Sequence, residues 1–184
     1  EYLFFTTGPL TMPPSQLGAF AKSDPEQASP NIEWHVQPLS LDKFGDPLHR
    51  FNAITPSVCN LRPSSRGHIR IKTNRSEDYP AITLNYLSTE EDRKVAIEGL
   101  KFTRRIMAAD ALSRFQPEEI KPGPQLSSDE ELQKAAGELG TTIFHPVSTC
   151  KMGNDDLAVV NDRLQVHGIE ALRIIDASIM PRIT

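Results

Sequence analysis

A chain of 184 residues suits one domain, or one and a part, and a chain of that size buries roughly 70% of its unfolded surface without needing disulfides or metals. Its net charge of −4, with no recurring basic stripe, argues against nucleic acid as the main partner. No apolar run approaches the ~20 residues that span a bilayer, and Glu1-Tyr-Leu-Phe-Phe5 lacks the positive region of a signal peptide. The two cysteines, Cys59 and Cys150, are expected as free thiols in a reducing, cytoplasmic setting, with membrane association of a longer parent protein left open. Nothing in the composition fixes an oligomeric state.

In chain order, residues 1–30 read as irregular structure: an apolar opening, Gly8-Pro9-Leu10-Thr11, Met12-Pro13-Pro14, then a polar stretch through Asp24-Pro25. The apolar opening, and a chain that stops at Met180-Pro-Arg-Ile-Thr184 without a polar cap, suggest a stretch of a longer protein. Ile32, Trp34 and Val36 alternate with Glu33, His35 and Gln37, which predicts a half-buried strand with His35 on the polar face. Extended segments follow at Phe51–Leu61, Gly67–Lys72 and Tyr79–Tyr86, close enough together to suggest an antiparallel sheet.

Ser88-Thr-Glu-Glu91 reads as a capping box with Ser88 at the N-cap. The helix behind it, to Ala109, carries Val95, Ile97, Leu100, Phe102, Ile106 and Met107 on its buried side and is about 30 Å long. Glu90 and Glu91 at its start and Arg104 and Arg105 at its end match the macrodipole. A second box, Ser128-Asp-Glu-Glu131, opens a helix to about Gly137 or Gly140. Beyond it, Leu164-Gln-Val166 and Ala171-Leu-Arg-Ile-Ile175 read as strands, the latter apolar enough for burial on both sides.

The chemistry concentrates in Thr142-Ile-Phe-His145-Pro-Val-Ser-Thr-Cys150-Lys-Met-Gly153. A residue before proline is held extended, so His145 is expected to project from a fixed backbone beside Ile143 and Phe144. Partial desolvation there would favour the neutral imidazole, a proton acceptor near pH 7; the ordinary alternative is a hydrogen-bonded structural histidine. His145, Cys150 and His167 offer nitrogen and sulfur donors, but their spacing matches no zinc pattern and a fourth ligand is missing, so no metal site is expected. No Gly-x-Gly-x-x-Gly or Gly-x-x-x-x-Gly-Lys-[Ser/Thr] occurs, so no self-contained nucleotide-binding fold is expected.

His145-Pro-Val-Ser-Thr-Cys-Lys-Met-Gly153, Leu164-Gln-Val-His-Gly168 and Leu172-Arg-Ile-Ile-Asp-Ala-Ser-Ile-Met-Pro181 together closely resemble the C-terminal region of glucose–methanol–choline oxidoreductases, most of all their choline dehydrogenase branch. Glu1-Tyr-Leu-Phe, Gly8-Pro-Leu-Thr11, Pro30-Asn-Ile with His35, and Pro63-Ser-Ser-Arg-Gly67 extend the resemblance over nearly the whole chain. It implies an α+β fold, a mainly antiparallel sheet with helices packed on one face, forming residues 1–184 of a substrate-binding portion. The family's Rossmann-type FAD-binding part would be its partner within the same protein, and residues 145–184 would contribute flavin-facing segments.

By the same resemblance His145 is the catalytic base, taking the hydroxyl proton of a primary, choline-like alcohol while hydride passes to flavin N5 of FAD. His35, Ile143 and Phe144 would contact the substrate, and Asp176 and Ala177 would reach the FAD through main-chain groups. The stretch would then be inactive by itself. Two departures stand out: Ser148 where many members have Gly, and Asn161 where many have Asp. Another aliphatic or aromatic alcohol is an alternative substrate, and a small-ligand-binding module without redox chemistry is the alternative of another class.

Overall fold

The structure, a computed structural model, describes residues 2–8 and 11–184; Glu1, Pro9 and Leu10 of the opening motifs lie outside the described residues. The chain divides into two compact units, one of residues 1–61 and 93–136, the other of residues 62–92 and 137–184.

The first unit is organised by the strand that period-two alternation predicts. That strand is β2 (Ile32–Gln37), flanked by β1 (Leu17–Ala21) and β3 (Thr55–Asn60) in an antiparallel sheet of order β1-β2-β3. Trp34 pairs with Ala19 on one side and Val58 on the other. Because side chains alternate faces, Ile32, Trp34 and Val36 share one surface, and α2 (Glu90–Met107) covers it with Val95, Phe102 and Ile106. Ile32 is 0% and Trp34 1% exposed; each such side chain is worth about 1.5–3 kcal/mol of burial. The Trp34 Nε1–H donates to Thr103 Oγ1 at 2.7 Å, and its ring centroid lies 5.0 Å from that of Phe102. Gly99 permits this close approach, since a Cβ there would stand 3.1 Å from a Val58 methyl.

Two parts of this unit depart from the sequence reading. The opening contains a helical turn, α1 (Tyr2–Phe5), and the strand β1 rather than irregular chain throughout. Strand β1 is an edge strand whose Leu17 and Phe20 are exposed, so no apolar alternation marks it; pairing with β2 forms it. After α2 come a short α3 (Asp110–Ser113) and α4 (Asp129–Leu139), which buries Leu132 and Ala135. The predicted box is reciprocal: Glu131 N–H donates to Ser128 Oγ at 3.2 Å and Ser128 N–H to Glu131 Oε2 at 3.0 Å. Backbone N–H donors of Ser128 and Ser127 hold the Glu131 carboxyl below its ordinary range. Arg104, near the α2 terminus, makes a bidentate pair with Glu119 at 2.9 and 2.8 Å.

In the second unit, β4 (His68–Arg70) and β5 (Ala81–Thr83) form an antiparallel pair. Gly67 sits so close to β5 that a Cβ would overlap the Thr83 carbonyl oxygen. The cap of α2 lies one residue later than its sequence suggests: Thr89 Oγ1, not Ser88, accepts from Asp92 N–H at 3.2 Å. The Ser88 and Thr89 N–H groups both donate to Ser65 Oγ, at 3.0 and 3.3 Å. The buried Asp92 carboxylate accepts from the Ser64 and Ser65 N–H groups at 2.9 and 2.8 Å.

The predicted strands at 164–166 and 171–175 are not continuous. Isolated bridges join Met152 to Val160, Val160 to Val166 and Gln165 to Arg173 around a fully buried Val160. Leu164 and Ala171, the first residues of the two runs, and Gly168 between them take positive φ values of 63°, 59° and 76°, which shortens each extended run at its start. Nor is the second run buried: Leu172 is 46% and Ile175 74% exposed. Among the described residues, no helix is long and apolar enough to cross a membrane.

Candidate active site

His145 lies in an irregular segment whose conformation is fixed before and after it. Upstream, Thr142 Oγ1 accepts from the Phe144 N–H at 3.0 Å and from the Tyr86 hydroxyl at 2.8 Å. Phe144 has φ 63°, a left-handed turn directly ahead of the imidazole. Downstream, Pro146 holds residue 145 out of the helical region, and three bonds tie the chain to the segment after Asp176. Ser148 Oγ donates to Met180 O at 2.7 Å, Cys150 N–H to Ser178 O at 3.0 Å and Met152 N–H to Ile179 O at 2.8 Å. The two segments that the sequence separates by thirty-one positions are therefore bound side by side.

The imidazole itself is exposed, as are Ile143 (44%) and Phe144 (64%). The expected apolar cover over the ring is not seen within this chain, since both neighbours are themselves exposed. Cys150 is half-buried with a free thiol, as is Cys59. His167 does not join a metal group with His145 and Cys150; its Nε2 makes a 3.0 Å hydrogen bond with the Gly153 carbonyl.

Asp176 precedes a 3₁₀ turn, Ala177–Ile179, and caps it: its Oδ1 accepts from Ser178 N–H at 2.7 Å. Hydrogen bonds from Ser178, side chain and backbone, hold the Asp176 carboxyl below its ordinary range. The carboxylate is thus engaged with its own turn. Among the described residues, the main-chain N–H groups of Asp176 and Ala177 donate to no protein acceptor, and both residues are exposed. Two free donors on a fixed turn fit contact with the oxygens or ring nitrogens of a planar cofactor.

The two departures from the family pattern now have a physical account. Ser148 does adopt the left-handed region, at φ 73°, where glycine would be unstrained; its hydroxyl bond to Met180 offsets part of that strain. Asn161 Oδ1 accepts from the Arg163 and Gln165 N–H groups at 2.9 and 3.0 Å, the acceptor role an aspartate would fill.

His35 belongs to the first unit, on the sheet face opposite Trp34. Its Nε2 lies 3.5 Å from Glu33 Oε1, with the His35 side chain 37% exposed. Cys59, directly across the ladder from Glu33, completes a cluster that sequence reading does not find. Glu33 and His35 are visible as an i, i+2 pair; the strand register that adds Cys59 is not.

A family model described as GMC oxidoreductase matches residues 63–184. The chain is 40% identical over 183 residues to an oxygen-dependent choline dehydrogenase of Proteus mirabilis (strain HI4320), an alignment covering 100% of this chain and 33% of that protein. It is 39% identical over 184 residues to the enzyme of the same name from Pseudomonas fluorescens (strain SBW25), covering 100% and 32%. The chain thus spans about a third of the length of these curated relatives. Among solved structures, pyridoxine 4-oxidase from Mesorbium loti superposes with a TM-score of 0.82 at 27% identity, over 93% of this chain and 34% of that one. A formate oxidase from Aspergillus oryzae RIB40, in a structure concerned with FAD modification, gives a TM-score of 0.76 at 27% identity, over 85% and 28%.

Proposed function

Since the chain belongs to the GMC oxidoreductase family, we propose that it forms the substrate-binding portion of an FAD-dependent oxidoreductase of primary alcohols, with residues 145–184 supplying the flavin-facing segments. A choline-like substrate is supported by the 40% and 39% identities to the two choline dehydrogenases. The observation that carries the reading is the trio of bonds from Ser148, Cys150 and Met152 to residues 178–180. It couples the imidazole-bearing loop to the turn whose free N–H groups suit a cofactor.

Bound FAD supplies the hydride acceptor. The chain's own task is to bind the alcohol, orient its carbon–hydrogen bond and remove the hydroxyl proton. His145 takes that proton on an imidazole nitrogen. General-base assistance of this kind is worth about 10²- to 10⁴-fold. Ile143 and Phe144 present apolar surface next to the imidazole and exclude water once substrate is bound. Asp176 and Ala177 hold the cofactor through main-chain N–H groups, while the Asp176 carboxylate keeps the turn in shape.

The test is anaerobic mixing of the full-length protein with choline and a panel of aliphatic and aromatic alcohols, followed by flavin absorbance. Bleaching by choline, faster than by the other alcohols, is the expected outcome. A flavin that no alcohol reduces would overturn the reading.

A further inference from the structure

We propose that Glu33, His35 and Cys59 form a binding site for one borderline-soft divalent cation of the zinc type, on the β2–β3 face that α2 does not cover. The three side chains share that face by register. Glu33 and His35 are two apart on β2, and Cys59 of β3 is the direct cross-strand partner of Glu33. All three are half-buried, and their oxygen, nitrogen and sulfur donor atoms lie within 4.8 Å of one another. Around a tetrahedral zinc ion, bond lengths of about 2.0–2.3 Å separate neighbouring donors by roughly 3.3–3.6 Å. The His35 Nε2 to Glu33 Oε1 distance is 3.5 Å, so that pair already has the required spacing. With all donors within 4.8 Å, the thiol has to close a gap of no more than roughly 1.5 Å against the tetrahedral spacing, which a side-chain torsion supplies.

The donor set is one that zinc accepts. One thiolate, one imidazole and one carboxylate are its three ligand types, and three protein ligands leave the fourth position to water. Burial, and then the neighbouring Glu33 charge, push the Cys59 thiol above its ordinary pKa. Without metal the thiol therefore keeps its proton. Binding breaks the S–H bond, forms a sulfur–metal bond and sends one proton to solvent, so uptake strengthens with pH. The ion also neutralises the Glu33 charge that opposes thiolate formation.

The three ligands lie within one unit, and the readout, a metal–thiolate band, needs neither flavin nor alcohol, so its outcome is distinguishable from that of the alcohol-oxidation test. The full-length protein, treated with a chelator and desalted, is titrated with Co²⁺ under anaerobic conditions and then with competing Zn²⁺. One equivalent of Co²⁺ giving an intense thiolate-to-cobalt charge-transfer band, displaced by one equivalent of Zn²⁺, is the expected result. Cys59→Ser should abolish the band and weaken Zn²⁺ binding by about 100-fold or more, given that even outer-shell changes cost 10–100-fold. Glu33→Gln and His35→Gln should each weaken it at least about 10-fold, and Cys150→Ser should leave it unchanged. Should Cys59→Ser fail to fold, alkylation of the wild-type protein decides: Zn²⁺ must protect Cys59, and not Cys150, from iodoacetamide. A missing band, a band that moves with Cys150, or uptake without fixed stoichiometry would overturn the proposal.

Discussion

Replacing Asp92 by Ala removes the acceptor that holds Ser64 and Ser65 beside the start of α2. Asp92 is 3% exposed, and its carboxylate takes charge-assisted bonds from two backbone N–H groups at 2.9 and 2.8 Å. Each such bond is worth about 1.5–3 kcal/mol, and the stranded donors stay partly buried, so the loss should be about 3–5 kcal/mol. With a urea m-value of about 2 kcal/mol per M, the midpoint should fall by roughly 1.5–2.5 M at pH 7. Asp92→Asn keeps one acceptor and should lose about half as much. The pH dependence adds a second check. Burial by itself raises the Asp92 pKa, but the serine hydrogen bonds outweigh it and the net shift is downward. A depressed folded-state pKa means stability that is complete above the unfolded value of about 3.9 and lost as pH falls through the folded one. The gap between wild type and Asp92→Ala should therefore narrow in acid below about pH 4. A midpoint within about 0.3 M of wild type at pH 7, well inside the shift expected from the m-value, or a gap that widens in acid, would refute the reasoning.

Trp34→Ala should destabilise the chain by about 3–5 kcal/mol in chemical denaturation, whereas Trp34→Phe, which forfeits mainly the bond to Thr103, should cost less. Gly67→Ala forces a methyl against the Thr83 and Leu84 carbonyls; it should cost more than about 2 kcal/mol and raise hydrogen exchange at the β4–β5 amides. Ser148→Ala keeps the left-handed strain and loses the bond to Met180, a loss of about 1 kcal/mol. Ser148→Gly relieves the strain as it loses the bond and should lie within about 1 kcal/mol of wild type, so the order Gly above Ala in thermal denaturation is the signature.

What the sequence reveals depends on how local the determining interaction is. Helix α4 announces itself because its cap is a bond between residues three apart, Ser128 and Glu131. Strand β2 does so because Trp34 and its neighbours alternate. The α2 cap is misplaced by one residue because Thr89 and Ser88 are chemically alike, and it is the Thr89 hydroxyl that also meets the distant Ser64 hydroxyl. Strand β1 is illegible for the same kind of reason: its ladder to β2 forms it, and its side chains carry no periodic signal. Past His145, apolar runs resemble strands, but positive φ at Leu164, Gly168 and Ala171 shortens them to single bridges. The candidate base is readable from the His145-Pro146 pair and its apolar neighbours. Its link to Asp176 through Ser148, Cys150 and Met152 is not, since those bonds connect residues 27 to 32 positions apart.

The central claim is that the imidazole of His145 takes the hydroxyl proton as the alcohol is oxidised. Anaerobic stopped-flow measurement of flavin reduction by choline, in the full-length protein and in its His145→Ala variant with matched flavin content, tests it most directly. The account predicts a rate at least about 10²-fold lower in the variant. An unchanged rate would contradict it.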